Sequence, residues 1–594
     1  MLQDRLQNCD TMKDLLNQVI FKHGTDRLIS SREGNKWKTY SSADVEQEVT
    51  RLSCGLAKLG INSGDRVALL IPSSAHWVFF DLALLSIGAI NIPVFVNVSQ
   101  EVFEHQMEHA EVSHLVVEDE AFFEEFTLEN CTLTDLITLE SAKPQSGLNI
   151  NSYSEVMTLG ERSLSQDPTA YSKLLENGNA EDLLTIIYTS GSTGLPKGVE
   201  LSHKNLLHQV KAVSKLLHED LVLKTAISCL PVAHTFERMI IYFYLAMNIH
   251  VYIADDVKKT ADYAKEIKPD MMTMVPRLLE KIYEAMEKKI RSQKGFKARL
   301  ARIAFLLAYH RINPFYYLCL PIFDRLVYSK FRAALGGELK ALILGGAALN
   351  PRICSFFIKI GVPVFQGYGL TESSPVITSS SPRSNKIGFV GKAIEGTEIK
   401  LSERGEVLTK SDSVMRGYHK NPEATSDVIL PDGWLRTGDK GVIDNDGFLR
   451  IVGRIKEIFK TSNGKYIAPI SIERHLTKSK YIESAMLVAE GRKFPSCLLF
   501  MDLAEIEKLK RKKKMTDLGV EEFVASKYLK AKIQQYIENI NRGLSHWEQI
   551  RKFRLVVTPL TIESGELTPT MKIKRFVIEE KYNKLIESMY SEPN

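Results

Sequence analysis

Three things are scarce in this chain of 594 residues, and each scarcity removes a class of protein. Paired cysteines are the first. The seven cysteines, at positions 9, 54, 131, 229, 319, 354 and 497, never form a C-x-x-C pair. That excludes a disulfide framework or a zinc ribbon and reads as reduced thiols filling cores. Net charge is the second. A balance of +5 is too slight for a nucleic-acid-binding surface, and no RNA- or DNA-binding motif accompanies it. The third is an unbroken apolar run. Ala301 to Phe323 comes nearest, but His310, Arg311, Asn313 and Pro314 interrupt it, leaving pieces shorter than the ~20 residues a bilayer span requires. The N-terminal stretch mixes charges with apolar residues, and the final SEPN is not a peroxisomal or retention signal. The expected location is cytoplasmic, with no signal peptide or transmembrane anchor.

Alternation of strand and helix dominates what is present. Length alone points to more than one domain. A hairpin is expected at residues 30–40, then a helix capped by Ser41 or Ser42 and stopped at Gly60. Arg66 to Pro72 reads as a buried strand, and HWVFFDLALLSIGAINIPV as helix, glycine and strand. Further strand texture recurs in HLVVED, HVYIAD, ALILGG and PVFQGYG. This order predicts an α/β fold class with layered subdomains. After about residue 395, short strands with Gly, Asn and Asp turns predict a β-rich segment. From Ile470 onward, helices and strands mix in a piece large enough to fold alone. Lys508 to Lys514 reads as a solvated basic helix face. The basic stretch Lys288 to Arg299, ahead of the apolar Ala301 to Phe323, has two readings. One is a solvated helix leading into a buried helical hairpin, which is favoured. The other is a surface that rests on the cytoplasmic face of a membrane.

The loops carry the chemistry. YTSGSTGLPKGVELSH, from Tyr188 to His203, gathers glycines, the hydroxyls of Ser190, Ser192 and Thr193, and Lys197 behind an apolar strand. It is not the common phosphate loop G-x-x-x-x-G-K-[ST], because Pro196 replaces the second glycine and Gly198 the final hydroxyl. Converging backbone N–H groups, hydroxyls and a lysine nevertheless suit an anion. LGGAAL (344–349) ends a strand with bare backbone against which a flat ring can lie. QGYGLTESSPV (366–376) offers an aromatic face at Tyr368, a hydroxyl at Thr371 and a carboxylate at Glu372. GWLRTGDKG (433–441) sets Asp439 in a glycine-flanked turn that suits sugar hydroxyls. Arg454 and Lys456 follow, and LTPTMKIKR (567–575) is a basic element near the end. Strand-end loops of this kind are where open α/β sheets bind ligands.

In this order and combination, the motifs resemble the AMP-forming adenylate-forming superfamily: acyl-CoA synthetases, peptide-synthetase adenylation domains and luciferases. The likeness covers nearly the whole chain. LPVAHTFERM, MVPRLLEKIY, LGGAALNP and ELTPTMKIKR are similar to long-chain fatty acyl-CoA synthetases. The resemblance implies a large N-terminal domain, residues 1–455, and a small mobile α+β C-terminal domain, residues 456–594, with Lys456 as hinge. It implies ATP binding by Thr189, Ser190, Gly191, Ser192, Thr193, Gly194 and Lys197 around the phosphates. Gly346, Ala347 and Ala348 would line the adenine, with Tyr368 stacking on it, Gln366, Gly367 and Gly369 would also bind ATP, and Asp439 and Arg454 would hold the ribose. Thr371 would meet the α-phosphate, Glu372 would hold Mg²⁺, and Lys572 would be the catalytic lysine. His234 would stand where an acyl tunnel, walled by Val232, Phe236, Met274, Val275 and Pro276, meets the nucleotide. Two departures from the family pattern are Met571, where glycine is usual, and Ala393, where proline is common. Met571 makes Lys574 the neighbour to compare with Lys572. The implied substrates are a long-chain fatty acid, ATP and CoA. The alternatives are an acyl–acyl-carrier-protein synthetase or an acyl-AMP ligase. A catalytically inactive fatty-acid or AMP sensor is a further alternative, against which the presence of both Glu372 and Lys572 argues.

Overall fold

The computed structural model describes residues 2–128, 131, 133–140, 148–176, 178–189, 195–218, 220–292, 295–309, 320–455, 459–460, 466–467, 469–561, 564–567 and 573–591. Strands whose alternate side chains enter different cores organise the N-terminal part. In Arg66–Leu70, Val67 and Leu69 join one buried cluster while Ala68 and Leu70 join another. In Ala341–Leu344, Ile343 faces the first cluster, and Leu342 and Leu344 face a third. Successive side chains of a strand point to opposite faces, so both sheets are covered on both sides, as parallel strands require.

One sheet has nine strands, in the order Lys392–Ala393, Val376–Ser379, Val364–Gly369, Ala341–Leu344, Met271–Met274, Thr225–Ser228, His250–Ile253, Ile29–Glu33 and Lys36–Tyr40. The other has eight, in the order Gly417–Tyr418, Lys197–Ser202, Leu183–Thr189, Ile90–Pro93, Arg66–Leu70, His114–Val117, Asp135–Thr138 and Asn149–Ser152. The helix Ala75–Ile87 follows a strand of the second sheet, and the helix Thr235–Ala246 follows a strand of the first. Both contribute to the same buried cluster between the sheets. Pro276–Ser292, Phe296–Tyr309 and Pro351–Lys359 cover the far face of the nine-stranded sheet, and Gln100–His109 covers that of the eight-stranded one. The layers therefore run helix, sheet, helix, sheet, helix.

Local signals explain these elements. Ser41 caps the helix Ser42–Lys58 in a reciprocal arrangement with Asp44, and the chain leaves that helix through Gly60 at φ +97°. Ala75–Ile87 is apolar nearly all round, which demands burial on every side. It starts on the Ser74 hydroxyl and ends at Gly88 in the left-handed region.

An antiparallel sheet follows, with the order Glu398–Leu401, Glu406–Lys410, Leu435–Ile443 and Leu449–Arg454. Beyond it, Ile482–Val488, Ser496–Met501 and Lys552–Val556 form a small sheet with its own two-sided core. Leu487 and Leu499 enter one cluster, and Met486, Leu498 and Phe500 the other, both built wholly from residues after 455. The described cysteines are free thiols, and all but Cys131 are buried. Among the described residues no helix is long and apolar enough to cross a membrane. The basic run at 508–514 is not wholly the solvated face expected. Lys510 is buried, its Nζ donating to the Leu518 carbonyl at 3.0 Å and pairing with Glu507 at 2.9 Å. A lysine's long aliphatic stem allows it to lie along apolar surface while its ammonium finds polar partners.

The middle layer contains a buried ion pair. Arg238, from Thr235–Ala246, meets Asp81, from Ala75–Ile87, at 2.5 Å, and both side chains are only 2% exposed. Asp81 also accepts from Tyr242 at 2.7 Å and Asn91 at 2.7 Å, while Arg238 donates to the Thr185 hydroxyl at 2.8 Å. Two buried charges are tolerable because nearly every polar atom is matched. Arg238→Met is expected to leave Asp81 stranded and to cost about 3–5 kcal/mol, seen as a fall in melting temperature. The double variant Asp81→Leu/Arg238→Met, which removes both charges, is expected to recover most of that loss.

Candidate active site

The parallel strands of the nine-stranded sheet end in register. Met274 pairs with Leu344, and Leu344 with Gln366, so the segments that follow all emerge at one edge. After Leu344 the backbone is bare for a reason. A Cβ on Gly345 would lie 3.3 Å from the Phe236 ring, and Gly346 sits at φ +78° with open space around it. Gly346 and Ala347 are exposed and Ala348 half-buried. Gln366 is buried, its amide donating to the Phe389 carbonyl at 3.3 Å. Gly367 has room for a side chain, with its nearest neighbour 3.7 Å from a Cβ. Gly369 has none, since a Cβ there would fall 1.7 Å from the Pro375 carbonyl oxygen. A single 3-10 turn, Thr371–Ser373, then turns Thr371 and Glu372 onto the edge.

The helix Thr235–Ala246 contributes its N-terminus. Its cap is His234, whose Nδ1 accepts the Phe236 N–H at 3.2 Å. An accepting Nδ1 in a neutral imidazole leaves the proton on Nε2. The Thr235 hydroxyl donates to the Thr371 hydroxyl at 3.3 Å.

The antiparallel sheet supplies the acidic corner. Asp439 and Arg454 are direct partners across Leu435–Ile443 and Leu449–Arg454. Arg454 Nε lies 3.0 Å from Asp439 Oδ1, and the Tyr368 hydroxyl donates to Asp439 Oδ2 at 2.8 Å. Burial first, and then the charge of Asp439, raise the Tyr368 phenol well above its ordinary range, so it remains a donor. Asp439 is buried, whereas the Arg454 side chain is 53% exposed.

The hairpin between Leu183–Thr189 and Lys197–Ser202 closes with Thr189 opposite Lys197. Ser190, Gly191, Ser192, Thr193 and Gly194 lie outside the described residues, as do Lys456, Met571 and Lys572. Lys574 is described; its backbone N–H donates to the Glu566 carbonyl at 2.7 Å, ahead of the helix Arg575–Lys581. Lys197 Nζ stands 4.8 Å from the centroid of the Tyr418 ring, and the Tyr418 hydroxyl donates to Glu372 Oε1 at 2.8 Å. Burial, and then Glu372, push the Tyr418 phenol upward. Sequence reasoning passed over Tyr418. The available signal was a glycine–aromatic pair inside VMRGYH, and Gly417 is needed there because a Cβ would lie 2.9 Å from Thr425 Cγ2.

Val232, Met274 and Pro276 are buried, and Phe236 and Val275 half-buried. Gly345 N–H donates to the Met274 carbonyl at 3.3 Å, so this apolar group adjoins the glycine loop. An apolar group thus lies on one side of the glycine loop. Glu372 Oε2 has no partner among the described residues, and no three-residue metal cluster occurs among them. A single carboxylate oxygen of this kind suits Mg²⁺, which keeps waters and binds substrate phosphates rather than sitting in an all-protein cage.

A model of the AMP-binding enzyme family matches residues 18–419, and one of the AMP-binding enzyme C-terminal domain matches residues 456–594. The long-chain-fatty-acid–CoA ligase FadD15 of Mycobacterium bovis is 33% identical to this chain, over 97% of each. The chloroplastic long-chain-fatty-acid–[acyl-carrier-protein] ligase AEE15 of Arabidopsis thaliana is 28% identical, over 92% of this chain and 82% of that protein. In fold, the chain resembles the adenylation domain of a carboxylate reductase from Mycobacterium chelonae. The TM-score is 0.75 at 18% identity, covering 100% of this chain and 93% of the other.

One buried acid beside the site has a measurable consequence. Glu237 is fully buried, with the Thr273 hydroxyl 3.0 and 2.8 Å from its two oxygens. Burial, opposed by hydrogen bonds, pushes its pKa from 4.5 up to about 7. The folded state therefore binds more protons than the unfolded chain between those values. Its stability falls as pH rises through that window, by up to about 3 kcal/mol. Glu237→Gln cannot ionise, so thermal unfolding from pH 5 to 8 is expected to shift in favour of the variant as pH rises.

Proposed function

The chain belongs to the AMP-binding enzyme family, and from that premise we propose that it activates a long-chain fatty acid with ATP and transfers the acyl group to coenzyme A, releasing AMP and pyrophosphate. The observation that carries the assignment of roles is the convergence of Lys197, Tyr368, Glu372, Asp439 and Arg454 where three sheets meet, tied by the Tyr368–Asp439 and Tyr418–Glu372 hydrogen bonds.

A carboxylate cannot acylate a thiol at neutral pH, because its leaving group is oxide. Attack of the carboxylate oxygen on the α-phosphorus of ATP forms a new P–O bond and expels pyrophosphate. AMP then becomes the leaving group when a thiol attacks the mixed anhydride. The obstacle to the first step is an anion approaching a polyanion. Lys197, the N–H groups and hydroxyls of Thr189 to Gly194, and Lys572 offset that repulsion in the transition state. Glu372 would hold Mg²⁺, which supplies further positive charge beside the phosphates when bound. Thr371 meets the α-phosphate. Tyr368 stacks on the adenine, whose edge lies along the bare backbone of Gly346, Ala347 and Ala348, with Gln366, Gly367 and Gly369 shaping the strand end beneath it. Asp439 and Arg454 hold the ribose hydroxyls. His234 stands where the acyl chain, passing Val232, Phe236, Met274, Val275 and Pro276, reaches the nucleotide. Lys572 serves only the first step, so residues 456–594 swing about Lys456 before the thiol attacks.

Fatty-acid-dependent exchange of pyrophosphate into ATP tests the first half-reaction, and CoA against acyl carrier protein tests the acceptor. Lys572→Ala is expected to lower exchange by roughly a hundredfold or more while thiolysis of supplied acyl-AMP changes far less. An equal fall in both half-reactions, or a selective defect in Lys574→Ala instead, would reject the role given to Lys572.

The substrate partitions into membranes, and one surface suits that source. Arg299, Arg302, Ile303 and Leu306 follow helical spacing along Phe296–Tyr309, and the aliphatic pair is 44% and 54% exposed. Ala304, Phe305 and Ala308 fill the core on the other side, so the segment is only in part the buried hairpin expected. Ile322, Arg325 and Leu326 repeat the mixture nearby, with the Tyr328 hydroxyl donating to the Ala304 carbonyl at 2.9 Å. Residues 310–319, Lys294 and the Lys297 side chain lie outside the described set. Basic residues near an anionic bilayer contribute about 1 kcal/mol each, screened by salt. Sedimentation with phosphatidylglycerol vesicles is expected to be weak and salt-reversible. It should be lost in Arg299→Gln/Arg302→Gln/Ile303→Ser/Leu306→Ser.

A further inference from the structure

Lys197 and Glu372 carry opposite charges and meet the same side chain. The ammonium of Lys197 lies 4.8 Å from the Tyr418 ring centroid, and the Tyr418 hydroxyl donates to Glu372 Oε1 at 2.8 Å. Opposite charges that share one neighbour, both half-buried, attract each other across it. A direct lysine–glutamate pair would engage both groups at once. The ammonium would be withdrawn from a phosphate and the carboxylate from a cation. A tyrosine between them offers each charge what it needs without joining them: the negative face of the ring for the cation, a neutral O–H donor for the anion.

Tyr418 is held firmly enough to do this. The strand Gly417–Tyr418 pairs with Lys197–Ser202 at the edge of the eight-stranded sheet, with Tyr418 opposite Val199. The Tyr418 N–H donates to the Thr425 hydroxyl at 2.9 Å, and its carbonyl accepts from Asn421 at 3.0 Å. Glu372 is fixed from the other side, its carbonyl accepting the Met415 N–H at 2.9 Å. The hydroxyl engages one carboxylate oxygen, while Oε2 has no partner among the described residues.

We propose that Tyr418 is a positioning residue: a spacer that keeps the lysine of the phosphate hairpin and the metal-side carboxylate apart, each available for Mg²⁺–ATP. The proposal rests on the reading of Glu372 as the Mg²⁺ ligand. It differs from a merely structural role because it forecasts a rescue. Loss of the ring lets Lys197 collapse onto Glu372, and removal of the Lys197 charge then relieves the collapse.

The test is a titration of Mn²⁺ into the full-length protein with a non-hydrolysable ATP analogue, read by electron paramagnetic resonance. Exchange activity and the fatty-acid KM are followed alongside. Tyr418→Phe, which keeps the ring and loses the hydroxyl, is expected to raise the half-saturating Mn²⁺ concentration about tenfold with the fatty-acid KM unchanged. Tyr418→Leu is expected to raise it further. Tyr418→Leu/Lys197→Gln should return it to the level of Tyr418→Phe, although Lys197→Gln alone weakens nucleotide binding. A double variant no better than Tyr418→Leu overturns the spacer role. Tyr418→Phe and Tyr418→Leu both matching wild type, while Glu372→Gln shifts the titration, overturns the proposal and spares the metal reading. Glu372→Gln leaving the titration unchanged removes the metal reading and the proposal with it. Should Tyr418→Leu melt early, Tyr418→Phe, which differs by one oxygen, decides alone.

Discussion

The guanidinium of Arg238 fixes the geometry on which the rest depends. It lies in the helical layer shared by both large sheets and reaches three different elements: Asp81 in one helix, Tyr242 in its own, and Thr185 in a strand. Two of these lead straight to the site. Thr185 shares the strand Leu183–Thr189 with the residue that stands opposite Lys197 in the hairpin, and Arg238 shares the helix Thr235–Ala246 with the hydroxyl that meets Thr371. Locking Arg238 onto Thr185 therefore sets the distance between hairpin and helix N-terminus. An apolar contact could slide along its partner, but a charge matched by several directed hydrogen bonds has one register. The helix cannot slip by a turn without leaving Asp81 unpaired in a dry interior.

The parts of the site that were legible in the sequence are those whose physics is local. Gly345 and Gly346 announce a bare, sharply turning strand end because a side chain would press on the Phe236 ring at one position and strain a positive φ at the other. The helix caps and the Gly88 stop were readable for the same reason. Asp439 and Arg454 were each legible in their own motifs. That they sit opposite one another is a matter of strand register, which neither motif contains. Tyr418 could not be found locally at all. Its position follows from an edge strand pairing with a strand far away in sequence. Nor could composition reveal that Lys510 turns inward to a carbonyl, because a run of lysines is identical in sequence whichever one finds a partner. The apolar residues at Val232 and Met274 came from resemblance alone, since periodicity does not separate an apolar residue that lines a tunnel from one that fills a core.

Both acidic groups of the site are held in the same way. Asp439, on the antiparallel sheet, accepts a hydrogen bond from the Tyr368 phenol of the nine-stranded sheet. Glu372, just beyond that nine-stranded sheet, accepts one from the Tyr418 phenol at the edge of the eight-stranded sheet. Two phenol–carboxylate hydrogen bonds thus join three sheets at the point where their loops meet. A phenol suits this task better than an ammonium or guanidinium would. It orients the carboxylate through a directed, charge-assisted bond yet leaves the negative charge uncancelled. Burial and the neighbouring acid keep each phenol protonated, so the arrangement holds at neutral pH without a counter-charge. The exception is instructive: Arg454 does pair with Asp439, but its side chain is more than half exposed. Solvent therefore reaches the guanidinium but little of the carboxylate it meets, which is 9% exposed. Asp439 is oriented from one side by the Tyr368 phenol and met from the solvent side by Arg454.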